Sequence, residues 1–129
     1  MLMPGNGLVL IFARCEKNVY ICTMYSADFT VKQFQAVVDH WIRSTGAGYF
    51  SPLTNMAVLA EEVGEVARVI ARSDGDQRPK PGESLDLADE LADVMWVVAA
   101  LANQHGIDLQ EAVANNLHKK NVRDYERFD

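Results

Sequence analysis

The sequence predicts an all-α protein, an antiparallel four-helix bundle with an irregular or disordered N-terminal extension. Three observations lead to this fold class. Helix-capping residues recur at four places, apolar residues follow them at steps of three and four, and the connections are short except for a polar loop at 73–83. A chain of 129 residues with 49% hydrophobic residues has the size and composition of one globular domain.

Each predicted helix begins at a residue whose side chain can accept hydrogen bonds from free backbone amides. The first helix has a T-x-x-Q capping box, and the second begins with a serine followed by proline, which is a favoured order at a helix start. The predicted N-caps are Thr30, Ser51, Ser84 and Asp108, and the helices reach about Ser44, Arg72, Gln104 and Tyr125, respectively.

Apolar stripes indicate which faces of the first two helices turn toward a core. In the first helix the stripe consists of Phe34, Val37, Val38, Trp41 and Ile42. In the second helix it consists of Leu59, Val63, Val66 and Ile70. Three glutamates interrupt the second stripe, so this helix places negative charge beside its predicted core face.

The first 27 residues differ from the helical domain predicted for residues 28–129. The runs "LVLIF" and "NVYICTMY" are compatible with two short strands, but the segment is equally compatible with a disordered leader. Its two cysteines, Cys15 and Cys22, do not form a zinc-binding pattern, and their small number favours a cytoplasmic location.

Charge and hydropathy exclude two classes of partner. The formal net charge of −6 argues against nucleic acid, because phosphate recognition needs clustered lysine and arginine. No run of about 18 apolar residues is present, so a membrane is not expected as a partner either.

Two acidic motifs carry the chemistry. The second helix contains "EEVGE", in which Glu62 and Glu65 share a face, and on the third helix Glu90 and Asp93 share a face in the same way. If the two helices are antiparallel neighbours, these four carboxylates converge. Like charges at such spacing repel, and a divalent cation with a preference for oxygen ligands, Mg²⁺ or Mn²⁺, would relieve the repulsion.

A solvated acidic face is the alternative interpretation of these motifs. Such faces are usually supported by basic residues four positions away, whereas here Asp86 precedes Glu90 and Asp89 precedes Asp93 at that step. Repulsive spacing on both helices therefore favours metal binding.

At these residues the sequence resembles the MazG-type all-α nucleoside triphosphate pyrophosphohydrolases, whose pattern is EExxE, a spacer and ExxD. The resemblance covers roughly residues 29–128 and includes "LAEEVGE", "LADELADV" and "LANQHGIDL". It implies a bundle of the all-α nucleotide pyrophosphatase type that hydrolyses a nucleotide triphosphate between its α and β phosphates. It also implies dependence on Mg²⁺, with Mn²⁺ as a possible substitute, and assembly as a dimer or a dimer of dimers.

The resemblance assigns roles to individual residues. It implies that Glu62, Glu65, Glu90 and Asp93 are metal ligands. Glu61 would be an extra ligand, a group behind the ligands, or the group that orients the attacking water, so the expected catalytic set is Glu61, Glu62 and Glu65.

Substrate contacts are expected from the first and last helices. The stretch from 115 to 128 is the only locally basic part of the chain, and it is either a phosphate-binding element or a solvated helix end. The expected substrate-binding residues are Lys119, Asn121 and Arg123, together with Trp41, whose ring is suited to stacking on a base.

Other functions are compatible with the same features. One is a phosphoribosyl-ATP pyrophosphohydrolase of the same superfamily, and another is a non-catalytic helical protein that uses a structural metal to assemble. A di-iron carboxylate bundle is disfavoured because the chain contains no Glu-x-x-His pair.

Overall fold

The computed structural model describes residues 28–45 and 47–127 and contains four helices. They are α1 (Val31–Ser44), α2 (Pro52–Ser73), α3 (Leu87–Gln104) and α4 (Leu109–Asp124), followed by a 3₁₀ turn at Tyr125–Arg127. Within the described residues there is no strand, and the all-α prediction is confirmed. Both interpretations of residues 1–27 concern a segment outside the described residues.

Three of the four predicted caps form as expected. The Thr30 side chain accepts from the Gln33 backbone amide while the Gln33 side chain accepts from that of Thr30, which completes the capping box. Ser51 accepts from Thr54, and Asp108 accepts from the amides of the following turn.

The predicted start of the third helix at Ser84 is wrong, because Asp86 is the N-cap and accepts from the Asp89 amide. The Ser84 carbonyl instead accepts a long hydrogen bond of 3.4 Å from Arg68. A tertiary contact thus holds residue 84 in the loop, and the aspartate two residues later starts the helix.

The helices α2 and α3 form an antiparallel pair, and α1 packs across α3. Two contacts show that the pair is antiparallel. Asn55 near the start of α2 donates a hydrogen bond to Gln104 at the end of α3. Arg68 near the end of α2 contacts Glu90 near the start of α3. Val38 of α1 is fully buried against Ala99 and Ala100 of α3 and forms the centre of the core.

The predicted core face of α2 is wrong in part. Val63 and Ile70 are 51% and 43% exposed, while Asn55 and Val69 are only 7% and 1% exposed. Helix α2 therefore packs on α3 with a more polar face and leaves much of its apolar stripe outward. The α1 prediction is closer, since Val37 and Val38 are buried.

Gln35 fixes the connection between α3 and α4 to α1. Its side-chain amide donates to the Ile107 carbonyl at 2.5 Å and accepts from the Leu109 amide at 3.0 Å. Its own carbonyl accepts from the Asn103 side chain. Beyond this anchored start, α4 contains no buried residue.

No helix among the described residues has both the length and the apolar composition needed to cross a membrane.

Candidate active site

Three of the predicted ligands come together between α2 and α3. One carboxylate oxygen each from Glu62, Glu90 and Asp93 can be chosen such that all three lie within 4.8 Å of one another. The antiparallel pairing of the two helices produces this arrangement, because it brings the ExxE face of α2 opposite the ExxD face of α3. These three residues are called the acid cluster below.

The acid cluster is electrostatically strained at Glu62. Partial burial raises the pKa of the Glu62 carboxyl, and the charges of Asp93, Glu61, Glu90 and Glu65 raise it further. Both effects disfavour the ionised form, which is the form that binds metal.

The donor set fits a hard divalent cation. It consists of carboxylate oxygens alone, with neither sulfur nor imidazole among the three residues, and such donors suit Mg²⁺ or Mn²⁺. A positive charge at this position would also offset the repulsion that acts on Glu62.

Glu65, the fourth predicted ligand, is not part of the acid cluster. Its carboxylate accepts from the Arg68 guanidinium at 2.6 Å. The same guanidinium donates to Glu90 at 3.3 Å, so Arg68 bridges a residue of the cluster and a residue beside it.

Glu83 connects this bridge to the loop between α2 and α3. It accepts from Arg68 at 2.8 Å, forms an ion pair with Arg72, and accepts from the Lys80 backbone amide. Its side chain is only 16% exposed, and its contacts with Arg68 and Arg72 anchor the loop to α2.

Glu61 lies at the edge of the site. Its side chain is exposed, and its charge acts on Glu62. It therefore has access to solvent beside the acid cluster.

An apolar cleft of about 380 Å³ begins one helical turn from the acid cluster. Val58 of α2 and Val97 of α3 line it, and each is four residues from a cluster residue, Glu62 and Asp93 respectively. The rings of Trp41 and Trp96 also line it and meet edge to face, with centroids 5.3 Å apart.

Polar groups at the cleft form two fixed pairs. Asn55 is 7% exposed and donates to Gln104 at 2.8 Å, and Gln104 donates to the Phe50 carbonyl. The Tyr49 hydroxyl donates to Asp39 at 2.7 Å, and burial together with this hydrogen bond raises the pKa of Tyr49 to about 12.

The basic residues predicted to bind substrate lie on α4, which packs chiefly against α1. Lys119, Asn121 and Arg123 are all exposed. The Arg123 guanidinium makes two hydrogen bonds to the adjacent Asp124. Within one chain the structure therefore gives these three residues no contact with the acid cluster.

Three residues near the site, Arg68, Asn55 and Glu83, were not among the predicted site residues. Arg68 stands three positions after Glu65, a spacing that supports an ion pair, and this signal was available. The buried amide Asn55 lies seven residues before Glu62 on the same face, which also indicated a role near the site. The role of Glu83 had no local signal, because the arginines that it pairs with lie 11 and 15 residues away in sequence.

Comparisons with known proteins agree with the resemblance in the sequence. The model of a family described as the MazG nucleotide pyrophosphohydrolase domain matches residues 50–128. The uncharacterised Bacillus subtilis protein YpjD is 42% identical over 103 residues, covering 79% of this chain and 93% of that protein.

Solved structures give the same result. A crystal structure of the B. subtilis pyrophosphatase candidate YpjD matches with a TM-score of 0.66 at 43% identity, covering 77% of this chain and 100% of that one. A Bacillus-conserved MazG protein, a nucleotide pyrophosphohydrolase, matches with a TM-score of 0.64 at 38% identity, covering 78% of this chain and 99% of that one. With a family match over more than half of its residues and the acidic motifs of that family facing each other across α2 and α3, this chain belongs to the MazG nucleotide pyrophosphohydrolase family.

Proposed function

We propose that this protein is a Mg²⁺-dependent hydrolase that cleaves a nucleoside or deoxynucleoside triphosphate between its α and β phosphates. The products are the nucleoside monophosphate and pyrophosphate. The observation that carries the proposal is the convergence of Glu62, Glu90 and Asp93 beside an aromatic cleft.

The acid cluster is the proposed site of the metal. Glu62, Glu90 and Asp93 would hold it, and Glu65 would join them by turning from Arg68. A bound Mg²⁺ neutralises triphosphate charge and makes the α phosphorus more electrophilic. Mn²⁺ has a similar preference for oxygen ligands and is expected to substitute.

Glu61 is the residue that we propose to orient the attacking water. Its exposed carboxylate beside the cluster can accept a hydrogen bond from a water and orient it toward the α phosphorus. The water oxygen bonds to the α phosphorus, the bond to the bridging oxygen breaks, and pyrophosphate leaves with that oxygen. The proton of the water passes to the carboxylate and then to solvent.

The cleft is the proposed site of the base. Its volume of about 380 Å³ falls within the range of small-molecule pockets. The Trp41 ring is 43% exposed and lines the cleft, so it can stack on a heterocycle. The cluster lies one turn away along α2 and α3, where the triphosphate of a bound nucleotide would extend.

Self-association forms part of the proposal. Six residues of α2 follow a strict three–four spacing along an outward face: Leu53, Met56, Ala60, Val63, Ala67 and Ile70. This spacing is that of a helix–helix seam, and a second copy of the chain is the proposed occupant.

A second copy also gives the basic residues of α4 a proposed role. Lys119, Asn121 and Arg123 are exposed on a helix without buried residues, so they are available to phosphates bound by a neighbouring subunit. Exposure and charge support this role, and measuring the hydrolytic activity after substitution of Lys119 tests it.

The central test is a nucleotide panel with Asp93→Asn and a matched control. We expect the wild-type protein with Mg²⁺ to release monophosphate and pyrophosphate from at least one nucleotide. Asp93→Asn should lose on the order of 10²-fold or more in kcat/KM, because it removes a charged metal ligand. Products are separated by ion-exchange chromatography.

Asp89→Asn is the control, since it removes the same charge from the same exposed helix surface outside the acid cluster. It should retain activity within about threefold, because surface substitutions have small effects. Release of orthophosphate and nucleoside diphosphate would contradict cleavage between α and β. No release from any nucleotide would favour the non-catalytic alternative.

A further inference from the structure

We propose that Arg68 is an internal counter-cation of the acid cluster, and that a divalent metal must displace it from Glu65 to recruit that ligand. This inference rests on the metal site of the proposed function. It assigns a role to a residue that neither the acidic motifs nor the family match assigns.

The first step is that Arg68 binds acids on three elements at once. Its guanidinium donates to Glu65 on α2 at 2.6 Å, to Glu90 on α3 at 3.3 Å and to Glu83 in the connecting loop at 2.8 Å. The Arg68 side chain is only 24% exposed, so these contacts are made in a partly desolvated position where charge pairs are stronger than on the surface.

The second step is that Arg68 and a metal require the same carboxylates. Glu90 belongs to the acid cluster, while Glu65 stands beside it and points its Oε2 at Arg68. A guanidinium and a divalent ion are both satisfied by carboxylate oxygens, but the two positive charges repel each other. Binding of one therefore weakens binding of the other, and this coupling is reciprocal.

The third step is that Arg68 remains anchored after it releases Glu65. Glu83 is 16% exposed, and it is held in place by Arg72 and by the Lys80 backbone amide. Arg68 thus keeps one strong partner while the less buried Glu65, which is 44% exposed, is free to rotate. The exchange then needs movement of one side chain and leaves the helices in place.

The test measures the Mn²⁺ dissociation constant by isothermal titration calorimetry on the full chain. We expect Arg68→Gln to bind Mn²⁺ about tenfold more tightly than the wild type, because a positive charge next to the ion has been removed. Arg68→Lys keeps the positive charge. Its Mn²⁺ dissociation constant should therefore stay within about threefold of that of the wild type.

Arg72→Gln is the matched control. It removes the same charge from the same helix one turn later, and Arg72 pairs with Glu83 and not with the acid cluster. Its dissociation constant should change by less than about threefold, because solvent screens more distant charges. An equal tightening in Arg72→Gln would show a general charge effect and overturn the assignment to Arg68.

A second readout observes the Arg68 side chain of the wild-type protein directly. Arginine labelled with ¹⁵N gives an Nε–H signal for Arg68, assigned by its loss in Arg68→Lys, and diamagnetic Mg²⁺ should shift it. An unshifted signal at saturating Mg²⁺, or unchanged or weaker Mn²⁺ binding by Arg68→Gln, would overturn the inference and leave the proposed function standing. If the wild type binds neither ion, the metal site of the proposed function fails, and this inference fails with it.

Discussion

At the scale of single residues, Glu62 shows a conflict between stability and the proposed function. The pKa of its carboxyl is raised above the ordinary value of 4.5 by burial and then by the neighbouring acids. Ionised Glu62 is therefore less favourable in the folded protein than in the unfolded chain. This penalty appears as the pH rises from about 4.5 through the raised pKa, and is complete above it.

Glu62→Gln should accordingly stabilise the protein in EDTA at pH 7. We expect a gain below about 1 kcal/mol, because Glu62 is only partly buried and solvent screens the repulsion. The gain should vanish as the pH falls below the ordinary pKa of glutamate, where the wild-type residue is protonated. Urea unfolding followed by circular dichroism at pH 7 and pH 4 measures the difference.

The order of stability should reverse at saturating Mg²⁺, because binding to the folded state then stabilises only the wild type. A Glu62→Gln variant that is less stable than the wild type in EDTA at pH 7 would contradict the electrostatic account.

Sequence reasoning identified the candidate acids at this scale because their spacing is a local property. Helix periodicity alone placed Glu62 and Glu65 on one face and Glu90 and Asp93 on another. Glu65 is held away from the acid cluster by its local ion pair with Arg68, three positions later. The contact of Arg68 with Glu83 spans the loop, so periodicity could not reveal it.

At the scale of elements, the connection between α3 and α4 depends on one buried side chain. Gln35 satisfies the Ile107 carbonyl and the Leu109 amide, and both groups would otherwise lie without a protein partner beside the core. Gln35→Ala should reduce the free energy of unfolding by about 2–3 kcal/mol, since two partly buried hydrogen bonds of a buried side chain are lost. Chemical denaturation measures the loss.

Gln110→Ala is the control, because Gln110 is exposed and accepts a single hydrogen bond of 3.2 Å from the Lys32 amide. It should cost less than about 1 kcal/mol. Equal losses in the two variants would show that Gln35 has no special role as an anchor.

Helix boundaries were predictable wherever the cap was local. The caps at Thr30 and Ser51 involve residues three positions apart, and the structure contains both. The third helix departed from prediction because Ser84 and Asp86 are both suitable caps, and the contact of Arg68 with the Ser84 carbonyl involves a residue 16 positions earlier.

At the scale of the whole molecule, the outward apolar face of α2 predicts an oligomer. Light scattering should give two or four times the chain mass of 14.4 kDa. Met56 of this face is 51% exposed in one chain, and Met56→Glu should shift the mass toward the monomer because it places a charge in the seam.

Val122→Glu is the control, since Val122 is 68% exposed on α4 and lies outside this face. It should leave the mass unchanged. Dissociation by Val122→Glu but not by Met56→Glu would move the interface to α4, and a wild-type mass of one chain would contradict self-association.

The choice of core face could not be predicted from α2 alone. Its apolar residues fit two faces, one through Val69 and one through Val63 and Ile70, and only packing against α3 selects the first. The stripe that the sequence predicts to be part of the core is exposed in the single chain. This is expected for a helix that packs on α3 with one face and on a second copy of the chain with the other.

The pairing of Trp41 with Trp96 has a practical consequence. These are the only two tryptophans in the 129 residues, and both line the cleft. Tryptophan fluorescence of the unmodified protein, excited where tyrosine does not absorb, therefore originates entirely at that location, and a stacked nucleobase would quench it. Ligand specificity can thus be surveyed optically, without a label and with hydrolysis blocked.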